Sequence, residues 1–362
     1  MRTTDVLSSP DRVAPPERLA FHLPPELEAH EPPEARGLAR DGVRLMVARQ
    51  GEDHVAHATF DRLPTFLDPG DLVVVNTSGT LPAALDGRDA TTGDPVVVHL
   101  STRLDDGHWV VEPRRPVATT TERWSGRRPG PEVALAGGAT LRLVEHDGAT
   151  GRLWVATLAT PGDDEDRWLA AHGRPIRYSY VERPWPIAAY QTVYATHPGS
   201  AEMPSAGRPI STEVITRLVA GGVAVAPILL HTGVASLEAD ELPYPERAVV
   251  PPATARLVAA TRAGGGRVVA IGTTVVRALE SAVGPDGAIG PYDGWTDVVV
   301  TPERGVAVVD GIVTGWHEPE ASHLLMLEAI GGRPLLERSY AAAIAEGYLW
   351  HEFGDSHLIL RR

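Results

Sequence analysis

Apolar and polar positions change rhythm twice along the chain. From Gly42 onward, Val43-Arg44-Leu45-Met46-Val47-Ala48 predicts a strand and His54 to Ala58 a second one. A helical stretch is predicted from Phe60 to Leu67, stopped by the turn composition Asp68-Pro69-Gly70-Asp71, and Leu72 to Val75 then forms a short apolar strand. Between about Thr80 and Leu158 short β-rich runs recur at close intervals: Pro95 to Leu100, His108 to Glu112, Thr140 to Glu145 and Gly151 to Leu158. Gly, Asp and Pro clusters separate them, the rhythm of a small barrel or sandwich.

Past Asp163 the period lengthens. Helical patterns at Asp164 to His172, Ser211 to Ala220, Ala253 to Ala263, Val275 to Val283, Ser322 to Ile330 and Leu335 to Glu346 are interleaved with strands. Those strands are expected at Val223 to Leu230, Arg267 to Ile271, Asp297 to Val300 and Leu358 to Leu360. Alternation of this kind implies a mostly parallel sheet wrapped by helices. The expected fold is therefore α/β, interrupted by an inserted small β-barrel domain. Residues 1–75 supply the first part of the α/β domain, 76–160 the barrel, and 161–362 the second part. The first 37 residues, with Pro15-Pro16, Pro24-Pro25 and Pro32-Pro33, read as an extended lead-in.

Composition narrows the chemistry. The chain has 362 residues, 43% hydrophobic and 22% charged, and a formal charge of −14, so its overall field repels polyanions. Cysteine is absent and all 33 basic residues are arginine. Missing thiolates exclude disulfides, cysteine-zinc sites, iron–sulfur clusters and cysteine nucleophiles. Missing lysine excludes Schiff bases and the lysine-bearing phosphate loop. No apolar run approaches the roughly 18 residues of a membrane span, and Met1 to Pro10 lacks the apolar core of a signal peptide, so a cytoplasmic location is expected.

Four groups of residues carry candidate chemistry. In Val268-Val269-Ala270-Ile271-Gly272-Thr273-Thr274-Val275-Val276-Arg277, a buried strand runs into a turn that opens a helix, so backbone amides, a positive helix end and two hydroxyls converge. That is a ready anion site, with Gly272, Thr273, Thr274 and Arg277 as its candidate residues; an ordinary capped strand–helix junction has the same sequence. The run Tyr190-Gln191-Thr192-Val193-Tyr194 offers phenol and amide groups suited to a base, and the loop around Ser205 and Gly207 lets backbone approach a ligand, although tyrosines at a domain junction also simply pack.

His317 and His323, like His351 and His357, are six residues apart, which turns the two rings about 120° away from each other on a helix and argues against a zinc pair, so no metal is expected. His317, His231 and Asp355 are the candidate bases or orienting groups. Finally, Arg114, Arg115, Arg123, Arg127 and Arg128 surround Trp124; arginine with an interleaved aromatic can hold nucleic-acid phosphates, or decorate a solvated hairpin tip. The nucleic-acid candidates are Arg114, Arg115, Arg127 and Arg128.

Taken in order, these segments resemble the S-adenosylmethionine:tRNA ribosyltransferase-isomerase family of the queuosine pathway, from about Phe21 to Leu360. The residues that carry the resemblance are Pro69-Gly70-Asp71-Leu72 with Asn76, Tyr190 to Ala195, Val269 to Glu280, Val309-Asp310, His317 with Pro319, Leu324 to Leu327, and Phe353-Gly354-Asp355. The resemblance implies an α/β domain plus a barrel. It also implies transfer of the ribosyl part of S-adenosylmethionine to 7-aminomethyl-7-deazaguanine in a tRNA anticodon, giving epoxyqueuosine with release of adenine and methionine. A sulfonium acidifies the neighbouring ribose carbon, so a base and positioning groups suffice, without thiol, cluster or lysine. On this reading Gly272, Thr273 and Thr274 hold an anionic group, and Tyr190, Gln191 and Tyr194 face a base.

The chain departs from the family pattern at polar positions. The family's Pro-Thr-Ala-Gly-Leu-His-Phe-Thr is Pro204 to Ser211 here, with Pro209 in place of histidine. Asn-Asn-Thr-Arg-Val-Ile-Pro-Ala-Arg-Leu is Asn76 to Leu85, with Gly79 and Ala84 in place of the arginines. Leu-His-Val-Gly-x-Gly-Thr-Phe is Leu230 to Leu237, and Asn-Phe-His-Leu-Pro is Gly315-Trp316-His317-Glu318-Pro319. Lost arginines remove bidentate phosphate holders and weaken the case for tRNA as partner. Two alternatives follow: a relative that uses S-adenosylmethionine with a small-molecule acceptor or a different reaction at the sulfonium, and a non-catalytic RNA-binding relative.

Overall fold

The computed structural model describes residues 18–118, 120–124, 129–147, 151–234 and 244–361. Strands β1 (Arg44–Arg49) and β2 (Val55–Thr59) form an antiparallel pair. The stretch Phe60–Phe66 is a 3₁₀ helix, with Pro64 inside it lacking the amide an α-helical turn would use. β3 (Leu72–Asn76) is buried at every position, as a strand covered on both faces must be. β4 (Ser78–Thr80) leads into the barrel.

The barrel contains β5 (Ala84–Asp89), β6 (Pro95–Arg103), β7 (Trp109–Val117), β8 (Thr120–Arg123), β9 (Glu132–Leu135), β10 (Thr140–Asp147) and β11 (Leu153–Ala159). Their order is β11-β10-β9-β5-β6-β7, all antiparallel, and β11 also pairs with β7, which closes the ring; β8 is a hairpin extension of β7. Closure removes the open edges that a small antiparallel sheet would otherwise expose. Leu85, Val98, Leu100, Trp109 and Leu141 fill its core. Helix α1 (Glu165–His172) starts at Asp164, whose carboxylate accepts from the Arg167 amide, and packs Trp168 and Leu169 into the same core.

The chain then returns to the large sheet. β12 (His197–Ser200) pairs with β4, α2 (Thr212–Ala220) is capped by the Ser211 hydroxyl, and β13 (Ala224–Leu230), β14 (Glu246–Val250) and α3 (Pro252–Ala263) follow. The remainder is β15 (Val268–Ile271), α4 (Thr273–Ser281), β16 (Tyr292–Thr296), β17 (Gly311–Gly315), α5 (Ser322–Gly331), α6 (Arg333–Ala345) and β18 (Ser356–Leu360). The sheet order is β16-β14-β13-β3-β15-β17-β18-β1-β2. The pairings β13–β3, β3–β15, β15–β17 and β18–β1 are parallel, and the others antiparallel. The alternation of strands and helices thus produces the parallel centre, and antiparallel strands flank it.

Side-chain alternation divides the core between the two faces of this sheet. Met46, Leu72, Val74, Val268 and Ala270 join the cluster under α3 to α6, and Leu45, Val73, Val75, Val269 and Ile271 join the one under α2. The strand expected at Asp297 to Val300 is not one. Val298 instead gives its carbonyl to the Arg277 guanidinium and its amide to Thr296 Oγ1, and the neighbouring strand is β16. Strands β14 and β17, which the pattern did not predict, are short and bounded by glycine or charged residues.

Candidate active site

The segments leaving the carboxyl ends of β13, β3, β15 and β17 enclose a cleft of about 350 Å³, whose other wall rests on the barrel core through Ile176, Ala201 and Val234. Ligands of parallel α/β sheets sit at this end of the strands, where diverging loops leave a crevice.

At its base, β15 turns into α4 through Gly272, whose φ of 90° and ψ of 161° suit a residue without Cβ; a methyl there would lie 3.3 Å from Ala206 Cβ. No side chain caps α4, and Thr273 and Thr274 of its first turn both line the cleft, so the helix start borders that space. Ala321, Ser322 and His323, at the likewise uncapped start of α5, line the same space. Two positive helix ends therefore bear on one cleft, a field favourable to a carboxylate. Asn76 fixes this corner: its side-chain amide pairs with the amide and carbonyl of Leu230 and donates to Thr274 Oγ1 at 3.3 Å.

The titratable groups of the cleft come from around β17 and from the loop before β18. His317 Nε2 is 2.9 Å from Thr314 Oγ1, and its ring stacks on His323 at 4.8 Å. Burial holds His317 well below the usual histidine range and His323 down to about 4, so both are neutral near pH 7. On the facing wall Tyr178 stacks on Tyr180, and Tyr180 stacks on His351 at 3.8 Å. The Tyr180 hydroxyl donates to Glu352 at 2.5 Å, and burial raises the pKa of both groups. Among the described residues no group of three or more histidines and carboxylates is placed to hold a metal ion.

Comparison with known proteins places this architecture. A family model described as queuosine biosynthesis protein matches residues 17–359. A protein of Symbiobacterium thermophilum named S-adenosylmethionine:tRNA ribosyltransferase-isomerase is 35% identical over 360 residues, covering 94% of this chain and 98% of its own. One of the same name from Acidiphilium cryptum is 36% identical over 366 residues, with the same coverage of 94% and 98%. The crystal structure of S-adenosylmethionine tRNA ribosyltransferase from Thermotoga maritima matches with a TM-score of 0.53 and 28% identity, over 94% of this chain and 99% of that one. The chain belongs to the queuosine biosynthesis family.

Within this queuosine-family scaffold, several residues singled out by sequence have structural partners. Gly272, Thr273, Thr274, Tyr190, Ser205 and His317 line the cleft. Arg277 borders it, but its guanidinium is bound to Glu246 and to the carbonyls of Tyr244, Thr296 and Val298, so four of its five N–H donors and its charge are already engaged in holding the rim. Gln191 clasps the amide and carbonyl of Thr80, and Tyr194 is half-buried with its hydroxyl toward the Gly207 carbonyl; neither borders the cleft. Gly207 is there for closeness, since a Cβ would meet the Tyr194 hydroxyl at 2.0 Å.

His231 lies outside the cleft too, hydrogen-bonded through Nδ1 to Ser78, which bonds Ser200; burial lowers it to about 4. Asp355 accepts from the amides of Arg44 and Leu349, both at 2.8 Å, and so clasps the loop that presents His351 and Glu352. Arg114 is not a surface cation: it is 7% exposed and pairs with Glu112 inside the barrel, opposite Arg152. Arg115 forms an exposed pair with Glu122, and Arg127 and Arg128 lie outside the described residues. Of the positions where the family pattern has arginine, Ala84 is wholly buried at the barrel entrance and Gly79 packs beside Gln191.

Sequence reasoning did not single out Tyr178, Tyr180 or Glu352, and it weighed His351 only as half of a metal-binding pair. The available signal was Tyr178-Ser179-Tyr180 in an irregular stretch rich in Arg and Pro, where two rings two residues apart have no helix to stripe and no sheet to face.

Proposed function

We propose that this protein transfers the ribosyl part of S-adenosylmethionine to a 7-aminomethyl-7-deazaguanine base in tRNA, giving epoxyqueuosine and releasing adenine and methionine. The observation that carries the reading is the Gly272-Thr273-Thr274 turn at the base of a cleft at the carboxyl ends of parallel strands, in a chain of this family. Its amides and hydroxyls suit the methionyl carboxylate, with the α5 start adding to the same field. Tyr178, Tyr180 and Tyr190 supply ring faces for a nucleobase.

The sulfonium acidifies the ribose carbon beside it, and neutral His317, oriented by Thr314, is the group we assign to accept that proton. Asp355 and Asn76 act by positioning. No metal is required for these steps, and the cytoplasm is where the reading places the enzyme, with its tRNA. No helix among the described residues is long and apolar enough to cross a membrane.

A small-molecule acceptor is the second reading, favoured by one observation: Arg114 and Arg115 are each paired with a carboxylate. Incubation with S-adenosylmethionine and tRNA bearing the aminomethyl base decides between them. The first reading expects adenine, methionine and a mass gain on that tRNA. Adenine release only with a free small molecule supports the second, and no adenine with either acceptor overturns both.

A further inference from the structure

The cleft wall opposite α4 holds more negative charge than the proton transfer assigned to His317 needs. Glu318 and Glu352 both line it, and among the described residues Glu318 has no side-chain hydrogen bond or ion pair while Glu352 has only the Tyr180 hydroxyl. Glu28 lies behind them, and all three carboxylates act on Tyr180. The cation at the other side, Arg277, is already matched by Glu246. Burial raises Glu352; Glu318 is raised in the same direction by the desolvated wall beside it, although the residue itself is exposed at the cleft rim.

The rings beside them are held at a cost. His351 has φ of 71°, a left-handed conformation uncommon outside glycine, and this places its imidazole flat against Tyr180 with an interplanar angle of 9°. Its side chain is only 7% exposed, and its buried Nε2 has no hydrogen-bond partner, pointing to the Glu28 side of the group at 3.7 Å. A neutral ring, an electron-rich phenol and two uncompensated carboxylates around one space form a cation-receiving surface.

We propose that the wall built by Tyr180, His351, Glu352 and Glu318 is a subsite for an organic cation carried beside a flat ring. The sulfonium of an adenosyl donor and the protonated aminomethyl group of a deazaguanine acceptor share that chemistry. The assignment rests on the function proposed above and names the residues that read charge within it. Glu318 and Glu352 supply the counter-charge, and the ring stack Tyr178–Tyr180–His351 supplies the flat surface beside it.

Calorimetric titration of the full chain tests it with two charged and uncharged pairs: S-adenosylmethionine against S-adenosylhomocysteine, and 7-aminomethyl-7-deazaguanine against 7-methyl-7-deazaguanine. The wild type is expected to prefer the charged member of at least one pair tenfold or more. Glu318→Gln, Glu318→Leu and Glu352→Gln should each shrink that preference at least threefold with affinity for the uncharged member unchanged, and the pair affected names the source of the cation. Equal binding within both pairs by the wild type, or a preference that survives all three substitutions in folded protein, overturns the subsite. If neither adenosyl compound binds, the proposed function fails, and the deazaguanine pair alone still decides the subsite. No binding of any of the four compounds overturns both.

Discussion

Asn76 and Thr274, 198 residues apart in the chain, meet with the amide of one 3.3 Å from the hydroxyl of the other. The same Asn76 side chain bonds both backbone groups of Leu230, so it ties β3, β13 and the head of α4 at the base of the cleft. Asn76→Ala would leave buried Leu230 groups unsatisfied. The expected loss is about 3 kcal/mol of stability, measured by urea unfolding, together with weaker S-adenosylmethionine binding. Unchanged unfolding would mean that the network is dispensable.

Thr273 has a simpler prospect. It opens α4 and lines the cleft, so Thr273→Val removes one hydroxyl at nearly constant volume. Affinity for S-adenosylmethionine should fall by about tenfold, the scale of one hydrogen bond to a charged group, while the melting temperature stays within a degree or so. Unaltered affinity would take the turn out of the donor site.

For His317 the expected result is separation of rate from binding. His317→Ala should lower kcat by about 100-fold, the scale of a lost general base, with KM for S-adenosylmethionine changed little. Because burial holds the native imidazole well below its usual pKa, the wild-type activity that depends on its neutral form should persist below pH 6. An equal loss of thermal stability in the variant would return the residue to a packing role.

His357 carries a pH signature of folding. It is fully buried against Trp316, with neither ring nitrogen hydrogen-bonded, and burial lowers its pKa from 6.5 to about 3. The unfolded chain therefore binds a proton that the folded chain refuses. Its effect is absent above about pH 7 and destabilises progressively as pH falls through 6.5 toward 3, by roughly 2 kcal/mol at pH 5. His357→Met should flatten the fall in melting temperature between pH 7 and pH 5; an unchanged slope would contradict the assignment.

Arg114 and Arg127 should behave in opposite ways. Arg114→Met leaves buried Glu112 with Arg152 alone and should destabilise the barrel by a few kcal/mol without altering the salt dependence of tRNA binding. Arg127→Ala should reduce the slope of log affinity against log salt by about one if it contacts phosphate. A salt-slope change for Arg114 would overturn its placement in the barrel.

The elements were legible where apolar period alone sufficed. β3, β15 and the helices from α2 onward follow the pattern because each buries a face that water excludes whatever the partner. The Gly272 turn was legible for a related reason: a buried strand, a lone glycine and two hydroxyls specify their own geometry locally. Other residues looked chemical in sequence and proved to be ties. Asp355, Gln191 and Arg277 bond backbone groups that lie 6, 111 and 19 or more positions away. No spacing rule reports such a partner.

What the chain determined by itself was the rhythm of strands and helices, the lack of thiol and lysine nucleophiles, and one glycine–threonine turn at a helix start, since these depend on neighbours within a few residues. Only the tertiary structure decided which polar groups remain available to a ligand. A side chain's chemistry depends on whether distant backbone has already claimed its hydrogen bonds, and on how far burial has moved its proton. Folding took Arg114 off the surface and Asp355 out of the cleft, and brought Tyr180, His351 and Glu352 to the cleft wall.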